Sequence, residues 1–97
     1  MAYTLVVTEG AKLDMEEAYA YYEQQQSGLG ERFLSCLEER FILLSEHPEY
    51  YSFIDGKQVL RDVVVDKFPY LVIYAIIDEH VRIYAVHPTH KRQMNEY

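Results

Sequence analysis

Ninety-seven residues, 49% hydrophobic and 26% charged, describe one globular domain over residues 1–97 with room for a core and little stability to spare. Cys36 is the single cysteine, which excludes an internal disulfide, and no apolar run reaches membrane-spanning length. The net charge of −7 argues against strong, non-specific binding to nucleic acid.

Tyr3–Val7 is short and rich in β-formers, which predicts a strand. The start Met-Ala-Tyr-Thr-Leu-Val-Val has no basic region before an apolar stretch, so no signal peptide is expected and the cytoplasm is the expected location. Thr8 can cap a helix, with Glu9 favourable in its first turn. Ala11, Met15, Ala18 and Tyr22 recur at helical spacing, with Tyr19 widening the stripe, and this helix runs to about Gln26 before Ser27-Gly28 ends it. A second helix is predicted after Gly30, with the stripe Phe33, Leu37, Phe41 and Leu44 and with Leu34 alongside. It stops at His47-Pro48, because the residue before proline avoids helical angles. So short a connection predicts an antiparallel hairpin. Cys36 reads as a small core residue of the second helix.

Residues 48–57 read as a loop containing the turn signal Asp55-Gly56. Three strands are predicted next: Val59–Asp66, Tyr70–Asp78 and Val81–His87. Asp78-Glu79-His80 makes a tight turn between the last two. The middle strand is apolar on both faces, so it is expected at the centre of the sheet. Val81, Ile83 and Ala85 alternate with Arg82 and Tyr84, giving the last strand one polar face. The order β-α-α-β-β-β predicts an α+β fold, a helical hairpin packed on one face of a mostly antiparallel sheet with both helical stripes against it.

Charge is uneven along the chain. Residues 1–54 hold 10 acidic and 3 basic side chains, and residues 55–97 hold 6 of each together with His80, His87 and His90. An anionic ligand is therefore expected to meet the C-terminal half. The acidic helix faces are otherwise ordinary solvated surface.

Several segments, taken in order, resemble the RelE/ParE superfamily of toxins from type II toxin–antitoxin systems, which includes plasmid-stabilisation proteins. They are Asp14-Met15-Glu16-Glu17-Ala18 and Tyr21-Tyr22-Glu23 on the first helix, GLGERF (28–33) opening the second, and His47-Pro48 closing it. Arg61, KFPYLVIY (67–74) and IYAVHPTHKR (83–92) complete the set, which spans nearly the whole chain. The resemblance implies a compact α+β toxin and a small antitoxin partner. That antitoxin is expected to enter an apolar groove or add a strand to an open sheet edge. RelE-like members cleave mRNA on the ribosome, and ParE-like members inhibit DNA gyrase. A degenerate member would only bind its antitoxin. Fold does not choose among these.

Metal-free RNA cleavage needs a base, an acid and cations to hold the charged phosphorane. No cofactor or metal is expected for it. The resemblance makes Arg61, His87, His90 and Arg92 the candidate catalytic residues, and Lys67, Tyr70, Arg82, Tyr84 and Lys91 the candidate substrate contacts. Arg61 could clamp a phosphate, an ion pair with Asp62 or Asp66 being the alternative. His87 and His90 could move protons, or be satisfied by backbone. Lys91 and Arg92 could bind phosphate, or form a frayed basic end. Tyr70 and Tyr84 are expected to be exposed, where they could stack on bases, and Tyr19, Tyr22 and Tyr74 to be core. A zinc site from His80, His87 and His90 has no cysteine or carboxylate cluster to join it. Arg61 and the 87–92 segment are expected to meet on the sheet face away from the helices. Two departures stand against a ribonuclease: the family's ribonucleases tend to be basic, and HPTHKR differs from the more usual histidine-then-arginines ending.

Overall fold

Three β-forming stretches joined by short turns can pair in sequence only as a meander. The computed structural model describes residues 2–89, and it shows that meander as β2 (Leu60–Val64), β3 (Tyr70–Ile77) and β4 (His80–Pro88). Lys67 and Asp78, at φ 72° and 57°, carry the left-handed backbone of the two turns. The N-terminal half supplies β1 (Thr4–Val7), α1 (Glu9–Gln25) and α2 (Leu29–Glu46). The sheet order is β1-β4-β3-β2, with β1 parallel to β4 and the other pairs antiparallel. The loop expected over residues 48–57 contains one 3-10 turn, Pro48–Tyr50.

Local chemistry sets the helix ends. Thr8 Oγ1 accepts the Ala11 N–H at 3.3 Å and donates to the Ile83 carbonyl at 2.8 Å. One hydroxyl thus caps α1 and ties it to β4. The second helix starts earlier than the sequence suggests, at Leu29, with Gly28 as its cap at φ 89°. Glycine has no side chain to satisfy the first amides. Glu23 does so from the end of α1: its Oε1 accepts the N–H groups of Gly28 at 2.8 Å and Gly30 at 3.0 Å.

Both stripes face the sheet. Ala11, Ala18, Phe33, Leu37 and Leu44 are buried, and Met15, Tyr22, Leu34, Cys36 and Phe41 pack against them. Tyr19 is a correction: it stands about 100° around the helix from Ala18. That direction carries it to the rim of the hairpin, where its hydroxyl reaches Glu31 at 3.1 Å. β3 is central as expected, with Tyr70 to Ala75 all buried. The β3–β4 register slips between Ile73 and Tyr74, so Tyr84 is passed over as a bulge. The alternation read for β4 therefore breaks at Tyr84. Val86, not Ala85, returns to the buried face.

The hairpin closes tightly at Gly30, where an added Cβ would lie 2.8 Å from the Tyr19 carbonyl oxygen. Backbone cannot retreat cheaply, so Gly30→Ala should lose about 1–3 kcal/mol despite alanine's better helix propensity. Glu23→Ala, which uncaps α2, should lose about 1 kcal/mol. Urea unfolding of both variants checks the pair. A stabilised Gly30→Ala would show that the helices can separate there at no cost.

Candidate functional site

Cross-strand partners share a sheet face, so the register sorts the candidate residues. Arg61 pairs with Tyr74, whose hydroxyl donates to the Pro48 carbonyl at 2.6 Å beneath the helices. Arg61 is therefore on the helix side of the sheet. Its Nη1 donates to the carbonyls of Tyr51, at 2.6 Å, and Glu49, at 3.1 Å. Its guanidinium also lies 3.9 Å from the centre of the Phe53 ring. Neither Asp62 nor Asp66 is its partner in these bonds. Arg61 fastens the 48–53 segment to the start of β2, where Phe53 bridges back to it.

The expected meeting of Arg61 with His87 does not occur. β2 and β4 both run antiparallel to β3, so they run alike, and the start of β2 and the end of β4 fall at opposite ends of the sheet. Arg61 aligns with Tyr74 and His87 with Leu71. These positions are about 10 Å apart along the strands and about 10 Å across them.

The face away from the helices holds Arg82, paired with Ala75, and Tyr84, 38% exposed on its bulge. The Arg82 guanidinium lies 6.0 Å from the Tyr84 ring centre. Arg82 and His87 are about 13 Å apart along the sheet, too far to hold one phosphate. At the end of β4, Asp14 Oδ2 accepts the Val86 N–H at 2.9 Å and lies 3.8 Å from His87 Nδ1. Sequence reading did not single out Asp14 as a strand-binding carboxylate. Lys67 is exposed in the β2–β3 turn. His90, Lys91 and Arg92 lie outside the described residues. Among the described residues no cluster of histidine, cysteine or carboxylate side chains is arranged to hold a metal.

Tyr70 is a second correction, being 9% exposed rather than open to a base. The Phe68-Pro69 turn folds inward and brings the Phe68 ring within 4.9 Å of Tyr22 and 5.3 Å of Phe33. Tyr70 joins that cluster at 5.0 Å from Phe33. Burial, and then the negative neighbours around it, push the Tyr70 phenol up to about 12. Burial raises Tyr74 and Tyr22 as well.

Comparison with known proteins now identifies the family. The family model "ParE toxin of type II toxin-antitoxin system, parDE" matches residues 5–93. The chain belongs to this ParE toxin family. No curated protein matches the sequence. Among solved structures, the chain is similar to the chromosomal ParDE toxin–antitoxin system of P. aeruginosa, with TM-score 0.78 and 12% identity over 90% of this chain and 96% of that one. It is also similar to an arginine double mutant of E. coli toxin RelE in the free state, with TM-score 0.61 and 19% identity over 96% and 90% of the two chains. The RelBE2 toxin–antitoxin complex of Mycobacterium tuberculosis gives TM-score 0.63 and 21% identity over 91% and 99%. The expected RelE/ParE-like α+β fold is thus the observed one.

Two predictions follow from these placements. Arg61→Ala removes two hydrogen bonds and a ring contact, and should destabilise the toxin by about 1–3 kcal/mol. Arg61→Lys should recover only part of this, because an ammonium lacks the planar fork. Chemical denaturation distinguishes this from the unchanged stability expected of a surface arginine. The fold also favours neutral phenols at Tyr70 and Tyr74. The Tyr70 contribution is complete below the ordinary tyrosine value of about 10 and is lost as pH rises from there through about 12, and that of Tyr74, which burial raises further, is lost higher still. Ultraviolet titration should show these tyrosines ionising together with unfolding. Ionisation of every tyrosine near pH 10 with the fold intact would refute the assignment.

Proposed function

We propose that this ParE-family toxin acts by holding a protein target, a DNA topoisomerase of the gyrase class, and that a small antitoxin neutralises it. The carrying observation is the use of Arg61. The strongest candidate phosphate clamp is bound to the carbonyls of Glu49 and Tyr51 on the helix side of the sheet. Arg82, Tyr84 and His87 remain on β4, spread along the strand rather than gathered around one point.

Three further facts favour the same reading. The net charge of −7 disfavours a ribosomal or RNA surface and suits a protein partner. The matching family model is that of the ParE toxins. Exposed apolar side chains, among them Tyr50 at 81% and Val64 at 53%, are the kind of surface on which a protein docks. An antitoxin is the natural partner by analogy with the toxin–antitoxin complexes similar in fold. No helix among the described residues is long and apolar enough to cross a membrane, and a gyrase target would place the toxin in the cytoplasm.

Supercoiling by purified gyrase and translation in a cell-free extract, each titrated with the toxin, separate the activities. Inhibited supercoiling with intact mRNA is the expected result. Ribosome-dependent mRNA cleavage with normal supercoiling would replace this reading with a ribonuclease. Inactivity in both, with the adjacent gene product still bound, would leave a chain that only engages its antitoxin.

A further inference from the structure

A cavity of about 540 Å³ opens between the middle of α1 and the end of the β3–β4 ladder. Its wall is aromatic. Tyr21 and Tyr22 meet edge to face with ring centres 5.2 Å apart, and Tyr22 and Tyr70 lie 5.9 Å apart. Its rim is acidic, because Asp14 and Glu17 stand one turn apart on the same face of α1. Among the described residues no lysine or arginine lines the cavity or forms an ion pair with either carboxylate. Among the described residues that line the cavity, the one basic group is His87, whose Nδ1 lies 3.8 Å from Asp14.

The two carboxylates act on the wall electrically. Burial first, then Tyr22 and Tyr21, raise the Tyr70 phenol, and Glu17 and Asp14 on the cavity rim add to it in the same direction. We propose that this cavity receives a cationic side chain, lysine or arginine, presented by a partner polypeptide. The cation lies over the tyrosine faces with its charge toward Glu17.

The chemistry selects that occupant over others. A ring face attracts a cation through its quadrupole, most strongly where water is excluded. The methylene stem of lysine or arginine covers apolar wall such as Ala18 and Val86 while the head stays at the rim. A phosphate or carboxylate would be repelled by Asp14 and Glu17. A purely apolar side chain would fill the space but leave the carboxylates unmatched. Asp14 already accepts the Val86 N–H, so Glu17 is the available charge partner. Tyr21, 55% exposed, is the outermost ring of the wall.

The test uses the full chain and three small probes: N-acetyl-arginine amide, N-acetyl-lysine amide and N-acetyl-norleucine amide. Backbone amide NMR is read at Ala18, Tyr21 and Val86. Both cationic probes should shift these resonances and saturate, with norleucine producing no comparable change. Glu17→Gln and Tyr21→Leu should each weaken the cationic probes by about three- to tenfold, as loss of one ion pair or one cation–π contact does. Both side chains lie outside the core, so unchanged circular dichroism should accompany the loss. Equal shifts from norleucine, no shift from either cation, or unchanged binding by both variants would overturn the proposal.

Discussion

The fold rests on β3. Tyr70 to Ala75 are apolar or aromatic and buried on both faces, so this strand cannot sit at an edge or face water on either side. It needs a neighbour along each edge, and β2 and β4 take those places through short turns. The helical hairpin then has one face to cover, and Phe33, Leu37 and Leu44 of α2 meet Val72 and Tyr74 there. β1 completes the sheet beside β4, held in place by the Thr8 hydroxyl on the Ile83 carbonyl. The same constraint sets the limits of the site, because two strands flanking a common antiparallel neighbour must run in the same direction.

That parity explains how much was legible beforehand. Period and turn chemistry revealed the elements: the α1 and α2 stripes, the double-sided apolarity of β3, and the polar alternation of β4 up to its bulge. All of these depend on neighbours within a few residues. The placement of Arg61 beside His87 failed because it took one strand's start and another's end as neighbours, whereas the meander that the short turns impose makes β2 and β4 run alike and separates the two. Tyr70 failed for a related reason. The sequence shows a tyrosine after proline at a strand start, and only the inward fold of Phe68 against Tyr22 and Phe33 hides it. Glu23 did carry a readable signal, since a glutamate five residues before a cap glycine has the reach to stand in for its missing side chain. The bulge at Tyr84 had none, because a single extra residue leaves composition and spacing almost unchanged.

Charge is arranged differently in space from along the chain. The acidic excess of residues 1–54 appears in part at Asp14 and Glu17, which α1 brings against the end of β4. The sheet half contributes its histidine to that same place, so His87 sits beside a carboxylate. Among the described residues, the end of β4 is mixed, a histidine beside an acidic rim, and His90, Lys91 and Arg92 lie outside them. The local field follows from the groups that α1 and β4 bring together, whatever the balance of the segment that carries them.

In a chain of 97 residues, fold and site compete for the same strong donors. An arginine donates through a rigid fork, and a nitrogen bound to carbonyls, as Arg61 Nη1 is, is withdrawn from any ligand. Arg61 shows the outcome of that competition. The 48–53 segment turns from α2 toward β2, and its exposed carbonyls at Glu49 and Tyr51 need donors that the sheet ladder cannot supply. Tyr74 meets the same need at Pro48 from within the core. Together the two side chains fix a segment that presents Tyr50, 81% exposed, and Phe53, 39% exposed, to solvent. A surface held rigid before contact loses less freedom on binding than a mobile loop. The residue that looks catalytic in the sequence thus holds an exposed surface segment in place, which accords with the proposal of a protein target.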